Sequence, residues 1–481
     1  MDYQPLLLRL LFLAVVVVGV SGHTKDEWRS RTIYQVLTDR FAGPDSNSCD
    51  LSNYCGGSFK GLIDQLDYIV GMGFDAIWIS PVVENTPGGY HGYWAQNMSA
   101  INQQFGSSNE LKNLVAAAHK KDVWVMVDVV ANHMGGTIDD IGSFSPFNQQ
   151  DHYHDCNGCN ENCEITDFDT LYSPNMEHCR LSGLPDLDQD NQWVAEQLND
   201  WVSWLVKEYS FDGIRIDTIP EVKPSFWKSF NKAAGCFAVG EVLNGDIEYV
   251  SAYQGPLDAV LSYPMFFVLR DTFAGSGSFV EIQSLSDQMP SKFEDTGVLG
   301  TFVDNHDNPR FLNAWNDQVR YVNALAHVLF SSGVPIIYYG TEQGFAGGDD
   351  PENREILWPT KFNSDASKNK LISFLKSAIQ VRKQLKIWNL DYPVWYFADN
   401  QFGVFSRGPE VLVVSTNVGD AAGSVARTVT LSPALFSPGS TFCDALDSSY
   451  CTTTASSDGS GVSLDVTLEG GLPRVLVKIE N

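Results

Sequence analysis

The stretch Gly213-Ile214-Arg215-Ile216-Asp217 places a short apolar run directly before a carboxylate. Similar short apolar runs recur between about residues 33 and 338, and longer amphipathic stretches separate them. This alternation is typical of parallel strands that alternate with helices. The eight runs cover residues 33–37, 76–79, 123–127, 213–216, 238–239, 259–261, 299–303 and 335–338. Because eight parallel strands can close into a ring, we expect an α/β fold, a (β/α)8 TIM barrel.

Two regions depart from this alternation. Residues 133–187, between the third and fourth runs, are rich in Asn, Asp, Cys, Pro and Gly, and they predict an inserted subdomain after strand 3. After about residue 385, short runs broken by Gly, Ser and Asn predict a C-terminal antiparallel β domain. The predicted parts are a signal peptide (1–22), the barrel (23–132 and 188–385), the inserted subdomain (133–187) and a β-sandwich domain (386–481).

Composition and charge narrow the class of protein. The 481 residues include 31 Lys and Arg against 59 Asp and Glu, which gives a formal net charge of −28. That excess of negative charge repels polyanions, so nucleic acid and anionic membrane surfaces are unfavourable partners. With 43% hydrophobic and 19% charged residues, the chain is an ordinary folded protein rather than a disordered one. A neutral or cationic ligand is compatible with the negative net charge of the chain.

The N-terminus indicates export. Residues 6–20 read LLLRLLFLAVVVVGV, and small residues follow at Ser21 and Gly22. The apolar run after Arg9 is shorter than the roughly 18 residues that a membrane-spanning helix needs, so we favour a secretory signal over an anchor. The mature protein is therefore expected to be secreted and soluble. The sequon Asn97-Met98-Ser99 makes it a candidate glycoprotein.

The nine cysteines fall into three local groups and one singleton, Cys236. In an exported protein this distribution favours small disulfide loops. The alternative is a zinc site, since C-x2-C spacing is common in such sites. Its ligands would come from Cys156, Cys159, Cys163 and Cys179 together with His152, His154 and His178.

Three carboxylates follow the apolar runs at the edge where a barrel carries its active site. Asp217 lies two residues after Arg215, so both side chains point the same way, and the guanidinium keeps the carboxylate ionised. Glu241 follows the fifth run and Asp307 the seventh. Each alone could cap a helix or close a salt bridge. Together they provide the acids of different environment that a general acid and a nucleophile require.

Ordered motifs carry a family resemblance. DVVANH (128–133), LPDLD (184–188), GIRID (213–217), GEV (240–242) and FVDNHD (302–307) resemble the motifs of the α-amylase superfamily of retaining glycoside hydrolases. The similarity to secreted fungal α-amylases continues through HGYW (91–94), DPENR (350–354) and GGLPRVL (470–476), so it covers essentially the whole mature chain.

The resemblance implies a double displacement on an α-1,4-glucosidic bond. Asp217 would be the nucleophile, Glu241 the general acid and base, and Asp307 the residue that stabilises the distorted sugar. The implied substrate-binding residues are Arg215, His133, His306, His91, Tyr93, Trp94, Asp350 and Arg354.

The resemblance also implies a calcium ion between the barrel and the inserted subdomain. The matching positions are Asn132, Glu177, Asp186 and Glu221, of which Glu177 and Glu221 would contribute backbone carbonyls. The family's subdomain disulfide maps best onto Cys156 and Cys179, which leaves Cys159 with Cys163. Cys49 would then pair with Cys55, and Cys443 with Cys451.

One departure bears on function. Fungal α-amylases carry Lys-His three residues after the nucleophile, where they contact the sugar on the leaving-group side, but this chain has Pro220-Glu221. The leading hypothesis is a secreted, monomeric α-amylase with α-glucan as its substrate. Two alternatives stay open, a 4-α-glucanotransferase and a catalytically inactive glucan-binding protein on the same fold.

Overall fold

The structure, a computed structural model, describes residues 23–457 and 461–479. The predicted signal peptide lies outside the described residues. The first ten strands are β1 (Ile33–Gln35), β2 (Ala76–Ile79), β3 (Val83–Asn85), β4 (Ala95–Ile101), β5 (Trp124–Val129), β6 (Gly213–Ile216), β7 (Phe237–Gly240), β8 (Ala259–Val260), β9 (Gly300–Thr301) and β10 (Val334–Tyr338).

Eight of these strands form one parallel sheet in the order β8-β7-β6-β5-β2-β1-β10-β9. A parallel bridge between Leu261 and Gly300 joins its outer strands and closes the ring. Each of the eight apolar runs contributes one strand, so the predicted barrel is confirmed. The remaining two strands, β3 and β4, form an antiparallel hairpin that the sequence pattern did not predict.

Helices surround the barrel, and their apolar faces share a core with its strands. The helices are α1 (Lys25–Trp28), α2 (Thr38–Phe41), α3 (Phe59–Gly71), α4 (Ser108–His119), α5 (Pro174–His178), α6 (Gln192–Tyr209), α7 (Pro224–Ala234), α8 (Ile247–Ser251), α9 (Tyr263–Ala274), α10 (Phe279–Lys292), α11 (Phe311–Ala314), α12 (Gln318–Phe330) and α13 (Lys370–Leu385). No helix of the described residues is long and apolar enough to cross a membrane.

Bulky apolar side chains fill the inside of the barrel, among them Trp78, Met126, Val239 and Ile336. At Gly240, the last residue of β7, a Cβ atom would lie only 2.4 Å from Leu257 Cδ1 and 2.7 Å from Ile219 Cγ1. Only glycine fits this close approach without displacing a neighbour. The strand therefore packs tightly just before it presents the next residue, Glu241.

The region predicted as an inserted subdomain contains only one α-helix, α5, two short 3-10 segments and loops. Bridges between His133 and Asp186 and between Tyr153 and Leu187 bring its two ends together. Two disulfides hold its interior, Cys156–Cys163 and Cys159–Cys179.

This pairing corrects the expected Cys156–Cys179 and Cys159–Cys163 bridges, which were wrong. Left-handed backbone at Cys156 (φ 62°) and Cys163 (φ 63°) turns the loop back on itself, so its two ends meet. The expected Cys49–Cys55 and Cys443–Cys451 bridges are present, and Cys236 keeps a buried thiol. Because all four subdomain cysteines are oxidised, they cannot serve the alternative zinc site.

The C-terminal part is antiparallel, as predicted. Its strands are β11 (Val394–Ala398), β12 (Phe402–Arg407), β13 (Val411–Thr416), β14 (Val425–Leu431), β15 (Thr441–Asp444), β16 (Cys451–Thr453), β17 (Ala455–Ser456), β18 (Val462–Leu468) and β19 (Arg474–Ile479). They form a six-stranded sheet, β11-β12-β13-β19-β15-β16, and a three-stranded sheet, β14-β18-β17. Leu412 and Leu476 of the first sheet share a buried core with Val429 and Leu464 of the second.

Candidate active site

Backbone hydrogen bonds at the strand ends position two of the predicted catalytic carboxylates. The Asp217 N–H donates to the carbonyl of Val129 (3.0 Å), and the Glu241 N–H donates to that of Ile216 (2.8 Å). Both bonds continue the parallel ladder one residue beyond the strands. The side chains of Asp217 and Glu241 therefore emerge side by side at the carboxyl edge of β6 and β7.

One guanidinium holds this group together. Arg215 is fully buried, and its Nη1 donates to Asp217 Oδ1 (2.7 Å) and to both carboxylate oxygens of Asp128 (3.0 Å each). Its Nη2 forms an ion pair with Glu241 Oε2 at 2.7 Å. Three carboxylates thus share one cation, and the nucleophile and acid predicted from the sequence lie on adjacent nitrogens of the same group.

The carboxylates have different electrostatic environments. Burial raises the pKa of Asp217 and of Glu241, and Arg215 only partly offsets this rise. Asp307, whose side chain is 27% exposed, also loses some solvation, but His306, Arg354 and Arg215 together bring its pKa below the usual value. The site therefore contains an acid that tends to hold its proton beside one that stays ionised, the separation that acid–base catalysis exploits.

A cavity of about 470 Å³ opens over these carboxylates. Asp217, Glu241 and Asp307 line it, together with His91, Tyr93, Trp94, His133, Asp350 and Arg354 from the predicted substrate-binding set. Trp94 lies at its edge with 37% of its surface exposed. The structure therefore brings nine of the eleven predicted catalytic and substrate-binding residues to one cleft, and Glu221 of the expected calcium set also lines it.

The other two predicted substrate-binding residues, Arg215 and His306, lie behind the cavity wall. His306 Nε2 is 2.6 Å from the hydroxyl of Tyr93, and its Nδ1 is 2.9 Å from Nε2 of Gln35. Both ring nitrogens are thus engaged within the protein. The hydroxyl of Tyr93 also donates to Asp128 Oδ2 (2.7 Å), so Tyr93 connects His306 to the carboxylates around Arg215.

Burial keeps the histidines of the site neutral. It lowers the pKa of His91 to about 3, of His133 to about 4 and of His306 to about 3. A neutral imidazole can donate one hydrogen bond and accept another without adding charge. Of the three, His91 is suited to contact a sugar hydroxyl, because its Nδ1 accepts from the N–H of Tyr93 (3.0 Å) and its Nε2 stays available. His133 is engaged at both ring nitrogens, since its Nε2 is 3.2 Å from the carbonyl of Tyr93 and its Nδ1 is 3.2 Å from the side chain of Asn132.

Two residues of the site were missed as functional candidates. Asp128 was noted only as part of a motif, yet it anchors Arg215 and also accepts from Trp78 Nε1 (3.1 Å). Tyr263 donates to Glu241 Oε1 (3.3 Å) and is held by Asn305 Nδ2 (2.8 Å). The position of Asp128 at the end of β5, beside β6, is a signal that could have found it, whereas nothing in the sequence marks Tyr263.

Next to the cleft, three oxygens of the expected calcium residues face one another. Oδ1 of Asn132 lies 3.0 Å from Oδ1 of Asp186 and 3.3 Å from the carbonyl oxygen of Glu221. Three acceptors at these distances repel unless the Asn132 amide turns or a cation lies between them. No cluster of three His, Cys, Asp or Glu side chains arranged for a metal occurs in the described part of the chain. A site here would instead depend on amide, carbonyl and single-carboxylate oxygens.

Glu177, the fourth expected calcium residue, lies near this group. Its side chain lines a neighbouring cavity of about 200 Å³ together with His154, and His154 Nδ1 is 2.6 Å from Asp186 Oδ2. His154 therefore orients Asp186, the only one of the four expected calcium residues that would bind the ion through its carboxylate.

Comparison with known proteins agrees with this geometry. The family described as "Alpha amylase, catalytic domain" matches residues 35–389. The chain is 39% identical to alpha-amylase 2 of Schwanniomyces occidentalis over 93% of this chain and 90% of that protein. It is 37% identical to the alpha-amylase of Saccharomycopsis fibuligera over 97% and 95% of the two chains.

Among solved structures, an α-amylase from Malbranchea cinnamomea superposes with a TM-score of 0.86 at 38% identity. The superposition covers 95% of this chain and 98% of that one. Fold and sequence thus agree over nearly the full length. The chain belongs to the α-amylase family of glycoside hydrolases.

Proposed function

We propose that this chain is a secreted α-amylase that hydrolyses internal α-1,4-glucosidic bonds of starch- and glycogen-type glucans with retention of configuration. The observation that carries the proposal is the group around Arg215, whose guanidinium lies 2.7 Å from both Asp217 and Glu241. Two carboxyl groups at short range on one cleft are what a retaining glycosidase requires.

In the first step, a carboxylate oxygen of Asp217 attacks the anomeric carbon, and Glu241 gives its proton to the leaving oxygen. The glycosidic bond breaks as an ester bond to Asp217 forms. In the second step, Glu241 takes a proton from water, whose oxygen attacks the same carbon and releases Asp217. Burial of Glu241, which raises its pKa, supports its role as the proton donor.

The remaining lining residues support binding of the reacting sugar. Asp307 stays ionised because its pKa is lowered, so it can stabilise the positive charge that develops on the sugar ring. Tyr93 offers its ring face, and the neutral imidazole of His91, whose Nδ1 accepts from the N–H of Tyr93, offers its Nε2 to a sugar hydroxyl. Arg354, 3.0 Å from Asp350, and Trp94 supply further contacts at the edge of the cleft.

The oxygens of Asn132, Asp186 and Glu221 fit a hard cation, and we propose that they bind Ca²⁺ together with the carbonyl of Glu177. Asp186 belongs to the inserted region, whereas Asn132 and Glu221 follow β5 and β6. The ion, when bound, would take no part in the reaction but would join the inserted region to the barrel.

Secretion is supported by the four disulfides, which persist in oxidising compartments. Asn97 is partly exposed on β4, and its Oδ1 accepts from the N–H of Ser99 at 3.1 Å, which leaves Nδ2 free for a glycan. A mass decrease after endoglycosidase treatment of the secreted protein would test this site. Light scattering would test the expected monomer.

The test of the activity compares Asp217→Asn with the wild type and with Asp67→Asn, a change at an exposed carboxylate on α3. We expect reducing ends from soluble starch, α-anomeric first products and shorter oligosaccharides from maltoheptaose. Asp217→Asn should abolish all three while the circular dichroism spectrum is unchanged, and Asp67→Asn should match the wild type.

Other outcomes would refute the proposal. Products longer than the maltoheptaose supplied, with little gain in reducing ends, would indicate a 4-α-glucanotransferase. Glucan binding without turnover would indicate an inactive binding protein. Activity of Asp217→Asn within tenfold of the wild type would reject its role as nucleophile.

A further inference from the structure

The outer face of α6 (Gln192–Tyr209) carries two exposed tryptophans. Trp193 keeps 40% of its surface accessible and Trp204 keeps 37%. Trp204 follows Trp193 by eleven residues, which on an α-helix is about three turns and about 16.5 Å along the axis. The two indoles therefore project from the same side of the helix. The core does not account for them, because α6 faces the barrel with other side chains, such as Leu198 and Leu205, which are fully buried.

Both indoles are held by aromatic neighbours. The ring of Trp193 stacks on His152 of the inserted region, with the ring centres 4.4 Å apart and 20° between the planes. The ring of Trp204 meets that of Tyr209 edge-on, with the ring centres 6.0 Å apart. Because these contacts fix the side chains before a ligand binds, little conformational entropy is lost when their exposed surfaces are covered.

Carboxylates occupy the same side of the helix between the two rings. Glu196 lies three residues after Trp193 and Asp200 seven, so both follow the side that the tryptophans define, and both are exposed. Glu196 Oε1 accepts from Nε2 of Gln192 at 2.7 Å, which keeps this side chain along the helix surface. Carboxylate oxygens accept hydrogen bonds from hydroxyl groups. We call Trp193, Glu196, Asp200 and Trp204 the outer stripe, which has two flat apolar rings with acceptors between them.

We propose that the outer stripe binds a single chain of α-glucan outside the catalytic cleft. A pyranose ring has C–H faces that can lie flat on an indole, and it has hydroxyls around its edge that can donate to carboxylates. The distance between the tryptophans, about 16.5 Å along the helix, requires a ligand of several sugar units. The outer stripe therefore suits a polymer better than a mono- or disaccharide.

Charge and pattern disfavour other occupants. The two carboxylates add to a net charge of −28, so an anionic polymer or membrane surface would be repelled, whereas a neutral glucan would not. A protein partner typically covers a patch whose centre is apolar and depleted of charge. The centre of the outer stripe is instead formed by Glu196 and Asp200. A polymer rich in hydroxyls matches this order of groups.

The outer stripe begins at the edge of the barrel that carries the cleft. Because α6 leads to the amino end of β6, its last turn lies at the amino edge of the sheet, and its first turn, with Trp193, lies at the carboxyl edge. Trp193 contacts the inserted region, which also lines the cleft through Leu181 and Ser182. A glucan chain on the outer stripe is thereby kept near the cleft, which raises its effective concentration there. Only this last step rests on the proposed function.

The test measures adsorption to granular starch in the cold, with excess maltose to fill the cleft. Asp217→Asn serves as the parent protein, so that the granules are not degraded. Trp193→Ala and Trp204→Ala should each lower the adsorption constant about fivefold or more, because each removes one of the two rings. Trp204→Phe keeps an aromatic face and should retain most of the adsorption. Trp315→Ala, at an exposed tryptophan that follows α11, should leave it unchanged.

A change at the carboxylates tests the same stripe without touching an aromatic ring. Asp200→Ala should lower the adsorption constant about threefold, since it removes a charged acceptor from an exposed position. The matched control is Asp67→Ala, at the exposed carboxylate on α3, which should adsorb as the parent does. Because Asp200→Ala leaves the core intact, it decides the matter if a tryptophan variant fails to fold, and adsorption equal to that of the parent would then overturn the inference.

The outcomes separate this inference from the proposed function. If both tryptophan-to-alanine variants fold and adsorb as the parent does, the inference is wrong and the amylase stands. The inference is also wrong if light scattering shows that the two tryptophans hold two copies of the chain together. If adsorption depends on both tryptophans but the wild type never cleaves maltoheptaose, the glucan site stands and the proposed function fails.

Discussion

Replacing Arg215 by lysine tests the organisation of the cleft most directly. The guanidinium uses Nη1 for Asp128 and Asp217 and Nη2 for Glu241, all within 3.0 Å. A lysine ammonium is a single point on a flexible chain and cannot reproduce a fork of two nitrogens. We expect it to stay near the pair Asp128 and Asp217, and Glu241 then loses its cation.

The magnitude follows from that single lost contact. The contact of Nη2 with Glu241 is a charge pair without hydrogen-bond geometry, and at the lower end of the range for close charge pairs it contributes about 1.5–3 kcal/mol. Each 1.36 kcal/mol corresponds to tenfold in rate. The expected loss in kcat/KM is therefore roughly tenfold to 150-fold. Because the guanidinium lowers the pKa of Glu241 against the effect of burial, its loss raises that pKa further. The acid then stays protonated to higher pH, so the alkaline limb of the rate profile moves upward while the acid limb keeps its place.

The assay is kcat/KM on maltoheptaose across the pH range, with Arg427→Lys as the control, since Arg427 pairs with Asp399 in the C-terminal domain at 3.0 Å. The control should behave as wild type. An alkaline limb that stays in place or moves to lower pH, in a variant with an unchanged circular dichroism spectrum, would refute the view that Arg215 governs the proton of Glu241. So would a kcat/KM within threefold of the wild type.

Three further predictions concern the ion, the thiol and the packing under the site. Prolonged chelation should lower the melting temperature, and added Ca²⁺ should restore it, because an ion bound only by the folded state stabilises that state. If calorimetry shows no change in the melting temperature after verified metal removal, the calcium site at Asn132, Asp186 and Glu221 is contradicted. The native protein should resist alkylation, because Cys236 is buried and burial raises the pKa of its thiol. After unfolding without reductant it should take up one label per chain, because the other eight cysteines form disulfides. Labelling of the folded protein at the rate of a free thiol would contradict this. Gly240→Ala should destabilise the fold by about 1–3 kcal/mol, since its Cβ would overlap Leu257. The control Gly142→Ala should not destabilise the fold, because the added atom meets nothing within 4 Å. Equal denaturation midpoints of the two variants would show that the barrel relaxes around the added methyl.

Much of the fold could be predicted because barrel strands are buried on both faces and therefore read as apolar runs. All eight runs became strands on that basis. The hairpin of β3 and β4 escaped because the stretch Ala95–Ile101 mixes polar and apolar residues, and its register shifts against β3. The pairing of the disulfides in the inserted region was not predicted for another reason. It depends on left-handed backbone at Cys156 and Cys163, and residue spacing carries no information about that conformation.

The cleft was predictable where side chains follow strands and less so where partners come from distant positions. Asp217 and Glu241 end neighbouring strands, so their proximity follows from the order of the sheet. The contact of Tyr263 with Glu241 depends on how α9 begins after β8, which no periodicity reveals. Nor could the sequence show that His306 uses both ring nitrogens within the protein, because Gln35 and Tyr93 lie far from it along the chain.

The sharing of one guanidinium by Asp128, Asp217 and Glu241 has a consequence for the folding free energy. Burial raises the pKa of each carboxyl above its value in the unfolded chain. The stability present while these groups are protonated is therefore lost as the pH rises through their folded pKa values. The ionised form of Asp217 that attacks the sugar is therefore also the form that stabilises the folded chain less. A variant that neutralises Asp217 alone would gain heat resistance as it loses turnover, because Asp128 and Glu241 still compensate the buried Arg215. Selection for stability alone would therefore remove the nucleophile before it damaged the barrel.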